Sequence, residues 1–161
     1  MSEPTLPTIV QGVLVMLQAA WLTLGVCTNI RHPGYNKEYI ISVLTMELVK
    51  ENPELYETFA HRRITHPGIH NLVFGVLLLV QISVSCLLWL GGVGLILATT
   101  SWVSGGIAST LAVCGVLGFT LIWGSFLVGG EWFLYWASER SPQYTHFFML
   151  LWGVGTLVLL T

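Results

Sequence analysis

Long apolar runs separated by short polar stretches set the pattern of this chain. A bilayer core of roughly 30 Å needs about 20 apolar residues at about 1.5 Å rise each. Residues 8–30 meet that length, after a tail in which Pro4 and Pro7 discourage an earlier helix. Residues 69–90 form the second run, and Gly91-Gly92-Val93-Gly94 reads as a natural break behind it. The third covers 105–136, apolar through Val128 and continuing into Glu131-Trp132-Phe133, which predicts a long or tilted helix. Residues 144–161 supply the fourth. Residues 95–104 fit either a shallow interfacial segment or an extension of a neighbouring helix. The pattern predicts an all-α fold: a polytopic membrane protein, one transmembrane domain over residues 1–161 built as a four-helix bundle, with a short helical loop at 31–68.

Within that loop, Asn36 is placed to cap a helix with Glu38 in its first turn. Ile40, Val43, Leu44, Glu47 and Leu48 follow helical spacing. Asn52-Pro53-Glu54 then restarts the chain, with Asn52 as cap and Pro53 at the first helical position, and Leu55, Phe59, Arg62 and Arg63 follow one to two turns on. Amphipathic stripes usually serve packing, so these helices are expected on the membrane surface or over the bundle; a docking face for another protein is the sharper alternative. Ile30-Arg31-His32-Pro33-Gly34 is echoed by Ile64-Thr65-His66-Pro67-Gly68, and both Pro-Gly pairs suit type II turns.

Composition turns this pattern into an exclusion. The 161 residues are 54% hydrophobic and 9% charged, with no aspartate. Ten of the 14 formal charges lie between Arg31 and Arg63, and residues 64–130 carry none. A water-soluble domain could not cover such a stretch. The net charge of −2, without a basic run, gives no footprint for nucleic acid. The first span lacks the basic n-region of a signal peptide, with Glu3 before it, and Leu24-Gly25-Val26-Cys27 is a poor lipoprotein box; it is expected to stay. Arg31, Lys37, Lys50, Arg62 and Arg63 fall in the first loop and Arg140 in the third, while the tail and second loop have no Lys or Arg. The bias predicts a multi-pass protein with the 31–68 loop in the cytoplasm and both termini outside.

Candidate chemistry is sparse. Antiparallel spans bring Cys27, His32, His66, His70, Glu131 and His146 near one depth. His66, His70, Glu131 and His146 are the candidate metal ligands, and a His70–His146 pair across two helices is the candidate for haem iron. No Cys-x-x-Cys or His-Glu-x-x-His motif accompanies them. Glu131 is the only charge between Arg63 and Glu139 and sits among Trp132, Phe133, Tyr135 and Trp136. It is either a headgroup-level residue in an aromatic belt or a partnered polar site. Gln18 and Gln81 lie at matching depths and are expected to hydrogen-bond across neighbouring helices. Ser101, Gly105 and Ser109, and Ser104, Ala108 and Ala112, form small-residue stripes for close helix contact, within the bundle or against a partner. The three cysteines suggest no disulfide, and no phosphate loop or nucleophile–histidine–acid set is present.

Two stretches carry a family resemblance: Val43-Leu44-Thr45-Met46-Glu47 through Arg63-Ile64-Thr65-His66-Pro67-Gly68-Ile69-His70, and Gly129-Gly130-Glu131-Trp132-Phe133-Leu134-Tyr135-Trp136-Ala137-Ser138. With them the chain resembles a bacterial family of small predicted integral membrane proteins of unassigned function. It departs from that pattern at Gln81, where an acidic residue is expected, and at Arg31-His32-Pro33, where an Asp-Tyr pair is typical. The resemblance implies a four-span bundle in a bacterial inner membrane and supplies no reaction.

The leading expectation for function is therefore a non-enzymatic accessory or structural subunit, in contact with lipid and with other membrane protein subunits of a larger complex. A haem- or metal-binding redox subunit and a small oligomeric transporter or channel are the alternatives.

Overall fold

The structure, a computed structural model, describes residues 6–161, so the readings on Glu3 and Pro4 fall outside it. Every regular element among these residues is helical: α1 (Leu6–Arg31), α2 (Pro33–Leu44), α3 (Pro53–Phe59), α4 (Pro67–Ala98), α5 (Gly105–Phe133) and α6 (Arg140–Leu160), with short 3-10 turns at Glu47–Glu51, Ala60–Arg62 and Tyr135–Ala137. Four of them, α1, α4, α5 and α6, are long and apolar enough to cross a membrane. α1 packs along α4, α4 along α5, and α5 along α6, whereas α1 and α6 meet only sparingly.

The glycine run behind residue 90 does not break the helix. α4 continues through it to Ala98, and residues 99–104 make the turn into α5. The reason is packing. A Cβ on Gly91 would overlap the backbone of Ala112, and one on Gly92 would come within 3.0 Å of the Gly12 carbonyl oxygen. Glycine there lets α4 lie close to α5 on one side and α1 on the other, the contact that small residues permit between membrane helices. Gly94 likewise sits against Ala108. Of the small-residue stripes, Ala108 and Ala112 are thus buried inside the bundle, while Ser101 and Gly105 are exposed and Ser109 is half-buried.

The central core joins Val15, Ala19 and Leu22 of α1, Val84, Leu88 and Leu95 of α4, and Ala112, Val116, Phe119 and Ile122 of α5. α6 lies against its edge through Met149 and Trp152. A second cluster closes the loop end: Leu44, Met46 and Val49 pack on Phe133 and Leu134, with Val73 beside them. The loop therefore folds over the ends of α4 and α5.

Helix starts in the loop differ in part from expectation. Asn52 caps α3, its side chain accepting from the Leu55 amide at 3.4 Å, with Pro53 behind it. Asn36, by contrast, lies within α2, which begins at Pro33. Neither Pro-Gly pair forms a type II turn; each opens a helix, and no glycine has positive φ among the described residues. Proline's fixed φ and missing N–H fit the first helical position equally well. α5 ends at Phe133 rather than continuing to 136, because Leu134 turns left-handed (φ 54°). α6 starts earlier than 144, at Arg140.

Candidate functional site

α1 and α6 are tied at the end away from the loop, where the Gln11 side chain donates to the Leu159 carbonyl and Gln18 Nε2 donates to Thr156 Oγ1 at 2.9 Å. Towards the loop the two helices part, and the space between them is a cavity of about 790 Å³. α1 contributes Trp21, Leu24, Gly25, Thr28 and Asn29; α6 contributes Ser141, Pro142, Thr145 and His146. The back wall is Val73, Phe74, Leu77, Leu78 and Gln81 of α4 with Trp123, Phe126, Gly129 and Phe133 of α5. Asn36, Tyr39, Ile40 and Val43 of α2 cover it. No aspartate, glutamate, lysine, arginine or cysteine lines it among the described residues. Trp21, Leu24, Thr28 and Thr145 are exposed, so the opening lies between α1 and α6. This size, with apolar walls and few polar groups, is that of a small-molecule pocket.

Three side-chain amides cross the wall. Asn36 Nδ2 donates to Asn29 Oδ1, and Asn29 Nδ2 donates to Gln81 Oε1 at 2.9 Å. They join α2, α1 and α4. The expected Gln18–Gln81 pair is absent: Gln81 bonds Asn29, and Gln18 bonds α6. Thr23 and Ser85 hydroxyls meet at 2.7 Å between α1 and α4. That register sets Gln81 four residues to one side of the contact and Gln18 five to the other, about 14 Å apart along the bundle.

An aromatic series forms the other wall. Trp123 lies 5.5 Å from the His146 ring and 5.7 Å from Phe126, and Phe126 is 5.0 Å from His146. Tyr135 Oη is 2.7 Å from Gln143 Oε1, to which it donates, and 3.0 Å from His146 Nδ1. Burial, with the nearby Glu139 carboxylate adding to it, pushes the Tyr135 phenol up to about 12. The Tyr39 phenol, edge-on to Tyr135, is raised further by burial and then by Glu139, although the two groups do not reach good hydrogen-bond geometry. A second hollow of about 540 Å³ adjoins the cavity at Asn36, Tyr39 and Pro142 and includes Glu38 and Glu139.

The proposed ligand histidines have other partners. His66 Nδ1 accepts from the Gly68 amide at 3.0 Å and caps α4. His70 Nε2 lies 2.8 Å from the Ile64 carbonyl, buried beneath the loop, and does not line the cavity that His146 lines. Glu131 is exposed in the last turn of α5. No three His, Cys or Glu side chains are grouped to hold a metal among the described residues. Cys27, Cys86 and Cys114 are free thiols. Sequence reasoning missed Asn29, Tyr39 and Trp123, and named Tyr135 only as an aromatic neighbour of Glu131. Asn29 was open to detection as a buried amide within an apolar run, a type that needs a partner in a bundle.

Fold and cavity together define a polytopic, all-α integral membrane protein with an apolar pocket. The chain belongs to the family described as predicted small integral membrane protein (DUF2165), whose model matches residues 8–161. Comparison with curated proteins and with solved structures gave no significant match.

Proposed function

We propose that the protein is a non-enzymatic, membrane-embedded binding protein whose cavity takes the apolar body of a lipid-soluble small molecule from the bilayer between α1 and α6. The observation that carries this reading is the cavity itself: about 790 Å³, without a charged side chain among the described residues, and rimmed by exposed residues of two lipid-facing helices. In hydrocarbon surroundings a charge-free hollow admits an apolar molecule without stranding an ion. A photoreactive alkyl diazirine, added to the protein in phosphatidylcholine nanodiscs, tests it. Saturable labelling concentrated on Trp21, Leu24, Phe126 and Thr145 is expected. Labelling that never saturates and spreads evenly over lipid-facing residues such as Leu72, Leu79 and Phe148 would contradict it.

In the same proposal the protein resides in a bacterial inner membrane, with the 31–68 loop and all six Lys and Arg residues on the cytoplasmic side. It serves there as an accessory component beside other membrane subunits. Ala108 and Ala112 no longer argue for a partner, since α4 covers them. The accessory role is supported instead by a cavity wall on which no thiol and no carboxylate lies among the described residues. Extraction in mild detergent should bring partner chains with it; a lone, monodisperse species would count against that role.

A further inference from the structure

The amide series on the cavity wall has two unused ends. Asn29 is held on both sides, donating from Nδ2 to Gln81 Oε1 and accepting at Oδ1 from Asn36 Nδ2. Gln81 Nε2 and Asn36 Oδ1 then have no hydrogen-bond partner among the described residues, and both residues line the cavity. An amide left facing hydrocarbon is unfavourable, so a pocket filled only by alkyl chains leaves this wall unsatisfied. A charged head fares no better, because among the described residues the cavity offers no counter-ion and the adjoining hollow adds only the carboxylates Glu38 and Glu139. What matches is a neutral head rich in oxygen, carried on an apolar tail.

We propose that the cavity selects uncharged lipids whose oxygen-bearing head accepts a hydrogen bond from Gln81 Nε2, with the Asn36–Asn29–Gln81 series holding that amide in place. The tail lies along Leu77, Phe74 and Phe126 and leaves past Trp21 and Leu24. Free diacylglycerols, through ester carbonyls and a hydroxyl, and isoprenoid quinones, through ring carbonyls, share this chemistry. The inference rests on the cavity reading above and adds the nature of the head.

The test is competition against the alkyl diazirine in the same nanodiscs, using dioleoylglycerol, decylubiquinone and dioleoyl phosphatidylglycerol as separate competitors. At least one neutral competitor is expected to displace the probe at about tenfold lower mole fraction than the anionic lipid, a hydrogen-bond-sized preference; the stronger of the two identifies the source. In Gln81→Met, which keeps the volume and removes the amide, that preference should fall to about threefold or less while the alkyl probe still labels saturably. Equal displacement by all three lipids, or an unchanged preference in Gln81→Met, overturns the head assignment and leaves the cavity reading standing. Absence of saturable labelling overturns both. If Gln81→Met does not fold, the wild-type competition decides alone.

Discussion

Arg62 ties the loop to the bundle with one side chain. Its guanidinium lies 4.4 Å from the Phe59 ring centroid and 4.6 Å from that of Trp132, and Nη1 donates to the Trp132 carbonyl at 3.1 Å. That carbonyl belongs to the last turn of α5, where a cation also complements the helix dipole. A planar group is needed to lie between the rings, and an ammonium is not planar. Arg62→Lys should therefore lower stability by about 1–2 kcal/mol despite the retained charge, measured by thermal unfolding in detergent. An unchanged melting temperature would show the stacking to be incidental. Tyr135 gives a second check at this scale. Burial, with Glu139 beside it, pushes its phenol up to about 12 from an ordinary 10, so between those values the folded state retains a proton that the unfolded chain releases. Its contribution to stability is constant below pH 10 and is lost as pH rises from 10 to 12. Tyr135→Phe should flatten the decline over that window in a pH series of unfolding curves.

At the scale of elements, glycines on α4 have opposite meanings. Gly91 faces the Ala112 backbone, whereas a Cβ on Gly75 would meet open space on the lipid-facing side. Gly91→Ala should destabilise by about 1–3 kcal/mol through overpacking. Gly75→Ala should be neutral or stabilising by up to about 1 kcal/mol from helix propensity. Equal effects in chemical denaturation would refute the close α4–α5 contact. The same residues explain what the sequence made legible. Hydropathy alone located the long helices, because length and the absence of charge decide whether a helix can span. It misplaced the end of α4, because a glycine run that breaks a helix in water serves as a contact surface in a bundle. The Asn52-Pro53 start was readable because a cap is local. Asn36 was misread as a cap because its partner, Asn29, lies on another helix, and Gln18 and Gln81 were paired because depth counted from helix ends ignores the actual register.

For the whole molecule, the arrangement of four helices creates the site. α1, α4, α5 and α6 pack in series, and the last gap, between α6 and α1, is closed at one end by Gln11 and Gln18 and left open at the other. No single sequence motif marks that opening, because residues from α1, α2, α4, α5 and α6 meet there only after folding. Gly25 and Gly129 offer the most direct test of the cavity's role. Both line it, and a Cβ on either would enter open space. Leucine at these positions should fill the hollow while leaving the fold intact, with helix propensity adding about 0.5–1 kcal/mol each. The decisive measurement is saturable alkyl-diazirine labelling of the Gly25→Leu/Gly129→Leu protein beside wild type in nanodiscs, with melting temperature recorded on the same samples. The filled variant should keep an undiminished melting temperature and lose saturable labelling; undiminished saturable labelling would show that the cavity does not hold the probe.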